Sequence, residues 1–393
     1  MPELDVAVVG AGPYGLSMAA HLTERRVRVF GEPMRTWRRL MPPDMLMRST
    51  WERSNLSDPG QKGRLVDWAD ETGEPRVEPL PLRRFLEYSA WFQQRFVPEV
   101  DEASIVQVEA ASTGGFHLRT SAGDELDARR IVLSVGVTPF PVLPRALRGV
   151  PEDRLSFAVE RQEFSPLRDL RVLLVGAGQT ALESASLALD SGAASVEVVS
   201  RRAVRFHPDR RQLVSWLPRA IRTPVWKLAY PIGGFGPPGV NLFALRPTAF
   251  SHLPERLKDP VARRMQSPGG SPWLRDAVLG RATMTEGVEV TDARGTPSGS
   301  VLVSLSDGSE REVDHVAVAC GYRFALNNLE FLSPKIRAGI ELHKDFPVID
   351  GAFRSISSPR ISFVGFAAEK TFGPVVRAVD GTRFTCLRAA RAL

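Results

Sequence analysis

Residues 5–22 read DVAVVGAGPYGLSMAAHL, and this stretch decides the fold. The apolar run over residues 6–9 predicts a strand that is buried on both faces. It leads into Gly10, Gly12 and Gly15, which have the spacing G-x-G-x-x-G, and the residues after them predict a helix. In such a unit the glycines allow a tight turn, close approach of a pyrophosphate, and packing of helix on strand. The stretch therefore predicts an adenine dinucleotide held at the start of the helix.

A second strand is predicted over residues 27–30, and it ends beside Glu32. A carboxylate at this place accepts hydrogen bonds from free ribose hydroxyls, and it repels a 2′-phosphate. The first site is therefore expected to take FAD or NAD.

The same pattern returns at residues 171–188, RVLLVGAGQTALESASLA. Its three glycine positions are occupied by Gly176, Gly178 and Ala181. An internal repeat of this size predicts two nucleotide-binding domains.

Arg201 and Arg202 follow the next predicted strand of the second copy, where Glu32 stands in the first. Arginine binds phosphate through charge-assisted, bidentate hydrogen bonds, so the second site is expected to take NADPH. The alternative is that both arginines only face solvent, because Arg is common throughout this chain.

Short strand-like runs follow each dinucleotide motif. Residues 105–108, 116–119 and 128–135, with glycine turns between them, predict an antiparallel meander that ends at Gly136. In the second half, residues 301–304 and 316–319 are expected to pair as a hairpin around Asp307-Gly308. The chain is therefore expected to be α/β, with two Rossmann-like dinucleotide-binding domains that each carry a small antiparallel β-meander.

The 393-residue chain has a net charge of +6, and only six of its 51 basic residues are Lys. The arginines are scattered, so solvated surfaces and anionic cofactors explain the charge better than a nucleic-acid partner does. The two cysteines form no C-x-x-C, and the six histidines have no metal spacing. We therefore expect no disulfide framework, no dithiol redox centre and no metal site.

The N-terminus lacks the features of a signal peptide, and no uncharged apolar run is long enough to span a bilayer. We expect a cytoplasmic protein without a membrane partner.

Two long segments carry large side chains. Residues 33–59, which include Trp37, Arg48 and Asn55, either cover a cofactor or pack as a surface loop. Residues 203–280 contain Trp216, Trp226 and Trp273 and would form a substrate lid or the surface of a homo-oligomer. The sequence leaves each pair of alternatives open.

The chain resembles the class B flavin-dependent monooxygenases, which include flavin-containing and N-hydroxylating enzymes. The resemblance lies first in the two glycine motifs, of which the first is followed by Glu32 and the second by Arg201 and Arg202. It lies also in the glycine-ended strands LSVG and ACGY and in the stretch FVGFAAEKTFGP at residues 363–374. It implies that both dinucleotide sites serve one reaction, with FAD in the first and NADPH in the second.

The resemblance also implies roles for particular residues. The FAD residues would be Gly10, Gly12, Gly15, Glu32, Trp37, Arg48, Gly136 and Gly365. The NADPH residues would be Gly176, Gly178, Ala181, Arg201 and Arg202. Asn55 would be the catalytic residue, near the reactive edge of the flavin.

The implied domains are residues 1–165 for FAD, 166–325 for NADPH with a lid-like insertion at 203–280, and 326–393 returning to the FAD domain. The implied reaction is transfer of one oxygen atom from O2 to a small organic substrate, first of all N-oxygenation through a C4a-hydroperoxyflavin. The alternatives are ring hydroxylation of a purine-like heterocycle, a flavin reductase or dehydrogenase without oxygen insertion, and a nucleotide-binding module without turnover. Residues 155–161 lack the histidine that often precedes the second motif, which argues against Baeyer–Villiger chemistry.

Overall fold

The structure is a computed structural model that describes residues 3–97, 99–112, 114–158, 162–207, 218, 239–266 and 268–393. Trp216 and Trp226, which the sequence assigned to a lid or a dimer surface, lie outside the described residues.

The strands of the described residues form two large sheets and two small ones. In chain order they are β1 Leu4–Val9, β2 Val27–Phe30, β3 Val100–Asp101, β4 Ile105–Ala110, β5 Phe116–Thr120, β6 Glu125–Leu133, β7 Leu155–Phe157, β8 Arg171–Val175, β9 Ser195–Ser200, β10 Thr283–Glu286, β11 Val290–Gly295, β12 Val301–Leu305, β13 Glu310–Val313, β14 His315–Val318, β15 Leu342–His343, β16 Phe346–Pro347 and β17 Ile361–Phe363.

The α-helices of the described residues connect and cover these sheets. They are α1 Pro13–Ala20, α2 Leu65–Thr72, α3 Leu82–Phe96, α4 Gln179–Asp190, α5 Leu242–Leu245, α6 Pro247–Ser251, α7 Glu255–Gln266, α8 Leu274–Val278, α9 Pro334–Ala338, α10 Glu369–Phe372 and α11 Thr382–Ala389.

The first sheet has the strand order β3-β2-β1-β6-β5-β4, and β17 also pairs with β6. Strands β3, β2, β1, β6 and β17 are parallel, whereas β4, β5 and β6 form an antiparallel meander. Val6, Ala7 and Val8 of the central strand β1 have no exposed surface, as expected for a strand covered on both faces.

Strand β6 joins the two parts of this sheet. Its first residues pair with β5, and its last three residues pair with β17. The chain thus returns to the first sheet near its C-terminal part, and the carboxyl ends of β1, β6 and β17 lie side by side.

The second sheet has the order β10-β9-β8-β14-β7, and all of its strands are parallel. A separate antiparallel sheet, β11-β12-β13, lies in the same half of the chain. The two parallel sheets and two meanders confirm the predicted fold class. Strand β7 belongs to the second sheet by pairing, although the sequence analysis placed it before the boundary at residue 165.

The expected pairing of residues 301–304 with 316–319 is wrong. Strand β12 turns at Asp307-Gly308 and pairs with β13, and the strand at residues 315–318 is β14 of the parallel sheet. The short run EREV was overlooked because three of its four residues are charged and only Val313 is apolar and buried, so it lacks the apolar pattern that marks a strand.

Helix α3 has the amphipathic pattern of a helix that packs on a core. Its buried residues include Phe85, Tyr88 and Phe92, and the preceding Pro81 takes the N-cap position. Tyr88 donates a hydrogen bond to the Gly63 carbonyl (2.6 Å) and accepts one from the Leu56 N–H (2.9 Å). The helix thereby fixes the segment between β2 and α2 against the first domain.

No helix among the described ranges is long and apolar enough to cross a membrane.

Candidate functional site

The first glycine turn joins β1 to α1 at the carboxyl edge of the first sheet. Gly10 has φ +105°, and a Cβ there would lie 2.6 Å from the Ser134 carbonyl oxygen. A Cβ on Gly15 would lie 1.8 Å from the Gly10 carbonyl oxygen. A Cβ on Gly12 would meet nothing within 4 Å. Internal packing therefore requires Gly10 and Gly15, whereas Gly12 borders open space.

Ser134 supports this turn from the neighbouring strand. Its hydroxyl lies 2.9 Å from the Val9 carbonyl and 2.8 Å from the Gly10 carbonyl. One hydroxyl proton is thus shared between two acceptors, and the turn is held to β6.

The start of helix α1 has the properties of an anion site. Its N-cap is Gly12, which has no side chain to cap the helix, and its first turn contains no acidic residue. The first N–H groups of a helix lack intrahelical partners and carry a partial positive charge. An open glycine cradle at an uncapped helix N-terminus fits a dinucleotide pyrophosphate.

Glu32 lies just beyond the end of β2 at the same edge. Arg39 donates from Nε to Glu32 Oε1 at 2.8 Å, and the Arg39 side chain is mostly exposed. A carboxylate accepts several hydrogen bonds, so this ion pair leaves Glu32 able to accept from ribose hydroxyls.

Gly136 and Gly365 follow the other two strand ends, β6 and β17. Their φ values are +69° and +72°, a backbone conformation that favours glycine. The structure therefore brings the glycine-marked ends of three neighbouring parallel strands to one edge, which is where ligands bind in such sheets.

Trp37 and Arg48 come from the long segment after β2. The Trp37 ring packs against Phe85 of α3, with ring centroids 5.0 Å apart. Arg48 Nη2 lies 2.7 Å from His207 Nε2, so its side chain reaches the second half of the chain. Both contacts are structural findings that the sequence did not indicate, and contact of either residue with FAD stays a prediction.

Asn55 is held by both ends of its amide. Nδ2 donates to the Glu52 carbonyl (2.9 Å), and Oδ1 accepts from the Leu65 N–H (2.8 Å), at the start of α2. Thr382 Oγ1 also lies 3.1 Å from the Asn55 carbonyl. Asn55 therefore has a structural role that the sequence analysis missed, and its catalytic role stays a prediction.

A buried ion pair fixes the segment next to Asn55. Arg53, only 8% exposed, donates a hydrogen bond to Asp380 near the C-terminal end of the chain. Burial raises the pKa of the Asp380 carboxyl, and the Arg53 guanidinium opposes that shift. Together with the Thr382 contact, this pair clamps residues 51–55 onto the segment that leads into α11.

The second glycine turn repeats the geometry of the first. Gly176 has φ +144°, and a Cβ there would lie 2.4 Å from the Ala319 carbonyl oxygen, whereas a Cβ on Gly178 would meet nothing within 4 Å. Helix α4 has Gly178 as its N-cap, without a side-chain cap or an acidic residue in its first turn. Ala181, in the third position, is fully buried. This cradle also fits a pyrophosphate.

Arg201 and Arg202 lie directly after β9, and both are exposed. Ser200 Oγ donates to the Arg202 carbonyl at 2.7 Å, which fixes the backbone between them. The two guanidinium groups are thus available beside the second turn.

Gln179 and Glu183 lie on α4, which begins at the second turn, and the sequence analysis did not name them. Gln179 Oε1 accepts from the Ser271 N–H (2.8 Å) and lies 2.9 Å from its hydroxyl, so the inserted segment packs on the start of α4. A side-chain hydrogen bond joins Gln179 to Glu183, one turn further along the helix. Burial raises the pKa of the Glu183 carboxyl to about 7.

The two cysteines lie in different environments. Cys386 is buried and Cys320 half-buried, both are free, and burial raises the pKa of each thiol. In the described ranges no group of three His, Cys, Asp or Glu side chains could hold a metal ion.

Comparisons with known proteins relate this geometry to a family. The model of the pyridine nucleotide-disulphide oxidoreductases matches residues 4–217. A curated relative, the FAD-dependent urate hydroxylase of Xanthomonas campestris, is 27% identical over 237 residues, which are 52% of this chain and 47% of the relative. The match thus spans about half the length of that relative.

Solved structures share the fold across the whole chain. The cadaverine monooxygenase of the desferrioxamine pathway from Erwinia amylovora has a TM-score of 0.75 at 15% identity, covering 100% of this chain and 94% of that one. The ornithine hydroxylase of Pseudomonas aeruginosa has a TM-score of 0.72 at 16% identity, and the match covers 99% of this chain and 98% of that one. The flavin-containing monooxygenase of Stenotrophomonas maltophilia has a TM-score of 0.67 at 16% identity, and the match covers 100% of this chain and 98% of that one.

These matches confirm the predicted two-dinucleotide flavoprotein fold, and the family match confirms the expectation of an oxidoreductase that uses FAD and a pyridine nucleotide. Because the family model covers more than half of its residues, the chain belongs to the pyridine nucleotide-disulphide oxidoreductase family.

Proposed function

We propose that this protein is an FAD-dependent, NADPH-using monooxygenase that transfers one oxygen atom from O2 to a small organic substrate. The proposal rests on two glycine turns, each of which leads into a helix without a side-chain cap. The residues after the next strand are acidic in the first copy and basic in the second. The first turn is followed by Glu32 and the second by Arg201 and Arg202.

The first site would hold FAD. Its backbone N–H groups at the Gly10–Gly15 turn would bind the pyrophosphate, Glu32 would accept from the ribose, and Gly136 and Gly365 would let the cofactor approach the strand ends. Bound FAD supplies the redox chemistry, accepting a hydride from the nicotinamide and passing electrons to O2. The protein's own task is to bind, to orient and to exclude water.

The second site would hold NADPH. Gly176, Gly178 and Ala181 would shape the pyrophosphate cradle, and Arg201 and Arg202 would bind the 2′-phosphate.

Asn55 would act as a fixed amide donor at the reactive edge of the flavin. Its side chain is anchored by Glu52 and Leu65. One Nδ2 proton remains for a ligand after these two bonds, because an amide nitrogen has two. The clamp at Arg53 and Asp380 would keep this donor in place.

The domain division is part of the proposal. Residues 1–165 and 326–393 would bind FAD and residues 166–325 would bind NADPH, with β7 of the first range completing the second sheet. The pairing of β17 with β6 supports the C-terminal return.

N-oxygenation of an amine is the first substrate class. It is supported by the similarity of the fold to that of a cadaverine monooxygenase and an ornithine hydroxylase. Ring hydroxylation of a purine-like heterocycle is the second candidate, supported by the 27% identity to a urate hydroxylase.

The decisive experiment separates oxygen transfer from electron transfer. The FAD-loaded protein is reduced with NADPH without oxygen, and 18O2 is then admitted with a panel of diamines, amino acids and purines. We expect an 18O atom in one product, identified by mass. If NADPH is oxidised and only hydrogen peroxide forms across the panel, the reductase alternative replaces the proposal.

The coenzyme assignment has its own test. Arg201→Ala and Arg202→Ala should each raise KM for NADPH by about tenfold and leave KM for NADH unchanged, because only NADPH carries the 2′-phosphate. Arg148→Ala, another exposed arginine, is the matched control. An equal effect on both coenzymes would refute the phosphate role.

A further inference from the structure

A cavity of about 530 Å³ lies outside both dinucleotide cradles. Its walls come from the region of α6 and α7, from the β15–β16 hairpin and the residues after it, and from the end of α10. Its volume falls within the usual range for small-molecule sites. We call it the lysine pocket, after Lys258 and Lys370, which line it, and Lys344 beside it.

Lysine is rare in this chain, but it is concentrated at this pocket. The chain has six Lys among 51 basic residues, and three of the six belong to this cluster. Lysine is a compact ammonium with three donors on a flexible stem, and it binds anions as a point charge. The Lys258 and Lys370 side chains are only 16% and 18% exposed, so their charges are partly desolvated.

The carboxylates of the cluster are already paired. Glu255 lies 3.0 Å from His343 Nε2 and 3.2 Å from Lys258 Nζ. Asp259 accepts from Lys344 at 3.0 Å and also from Lys370. Among the ammonium and carboxylate groups of this cluster, three positive charges thus face two negative ones.

Burial acts to raise the pKa of Glu255, but hydrogen bonds from His343 and Lys258 outweigh it and bring that pKa to about 2. The carboxylate is therefore ionised and held by its partners, so an incoming cation would have to displace one of them. Each lysine ammonium, in contrast, keeps donors free after its ion pair, because it has three.

The third carboxylate at the pocket is also satisfied. Asp350 accepts from Arg354 Nε at 2.8 Å and from the Ala352 and Arg354 N–H groups, both at 2.9 Å. It adds no unpaired negative charge.

The inner wall is apolar. Pro347 and Ile349 are buried, Phe372 is 1% exposed, and Phe346 packs edge-on against Phe366. A ligand that fills the cavity would therefore place an apolar body against these side chains and its charged group beside the lysines.

We propose that the lysine pocket binds a small organic anion, a carboxylate or similar group on an apolar body. Lys258 and Lys370 would donate to the anionic group, and the wall of Phe372 and Ile349 would cover the body. This site goes beyond the proposed monooxygenase activity and does not depend on it.

The test measures binding directly on the FAD-loaded protein, without NADPH. The probe is 4-iodobenzoate, titrated by calorimetry and soaked into crystals, where anomalous scattering locates the iodine. 4-Iodobenzylamine and 4-iodobenzyl alcohol serve as cationic and neutral probes of the same shape.

The variants are Lys258→Met and Lys370→Met, which keep the length of the side chain and remove its charge. We expect iodobenzoate to bind more tightly than the other two probes, and each variant to weaken it by about tenfold, the usual effect of losing a charge-assisted hydrogen bond. Lys335→Met, an exposed lysine on α9, should change nothing.

If Lys370→Met does not fold because the bond to Asp259 is lost, Lys258→Met alone tests the proposal. No saturable binding, equal affinity for all three probes, equal affinity in both variants, or iodine density outside the cavity would each overturn the proposal. Because no turnover is measured, failure of the monooxygenase proposal would leave this result standing.

Discussion

Replacing Glu183 with Gln is expected to stabilise the protein above neutral pH and to change little near pH 5. Glu183 lies on α4, one turn after Gln179, and burial raises the pKa of its carboxyl from 4.5 to about 7. The substitution keeps the shape and the polar character of the side chain and removes its charge.

The sign follows from proton binding. A carboxyl with a raised pKa in the folded state holds its proton there at pH values where the unfolded chain has lost it. The stabilising contribution of the protonated Glu183 is therefore fully present below the unfolded pKa of about 4.5. It is lost as the pH rises through the folded pKa of about 7. At about 1.4 kcal/mol per unit, the loss approaches about 3 kcal/mol.

The assay is urea unfolding of the FAD-loaded protein, followed by circular dichroism at several pH values. Relative to wild type, Glu183→Gln should gain about 3 kcal/mol near pH 8 and less than about 1 kcal/mol near pH 5. Glu24→Gln removes an exposed carboxylate of the same kind and should show no such trend. An equal gain at both pH values, or a loss near pH 8, would refute the reasoning.

The remaining predictions concern the second glycine turn and the buried ion pair. Gly178→Ala should leave the melting temperature unchanged and raise KM for NADPH by about tenfold, since the new methyl meets only open space in the protein. Gly176→Ala should instead lower stability by about 2 kcal/mol or more, because its Cβ would lie 2.4 Å from a carbonyl oxygen at positive φ; the reverse pattern in thermal melts would contradict both. Asp380→Asn should cost about 3 kcal/mol in urea unfolding, because it leaves the Arg53 guanidinium buried without its counter-charge, and an unchanged midpoint would show that the pair is not needed.

Local patterns predicted the local elements well. The glycine turns at Gly10 and Gly176 follow from strand, glycine and helix signals within about twenty residues of sequence. The observed bounds of helix α3 also follow from its sequence, because Pro81 marks its start and its apolar residues recur at helical spacing. Strand β13 was missed because it is four residues long and only its last residue, Val313, is apolar.

Contacts between distant residues could not be predicted in this way. Arg53 and Asp380 are 327 positions apart, and Arg48 and His207 are 159 apart. No periodicity or spacing links such pairs, since each residue alone has the pattern of a surface charge. Without homologous sequences, only the three-dimensional structure shows that they meet.

The two glycine turns show how one local geometry yields two different sites. In both copies the backbone after the neighbouring strand leaves no room for a Cβ at the first glycine, whereas the second glycine borders open space. The geometry of the turn is therefore the same in both copies and does not distinguish the cofactors. The distinction lies one strand further on, where Glu32 is held by Arg39 while Arg201 and Arg202 are exposed. A 2′-phosphate at the first site would meet a carboxylate whose ion pair it must break, whereas at the second it would meet two guanidinium groups. Under the proposed assignment, the charge after the second strand of each unit, rather than the glycine motif, would determine which dinucleotide each half of the chain holds.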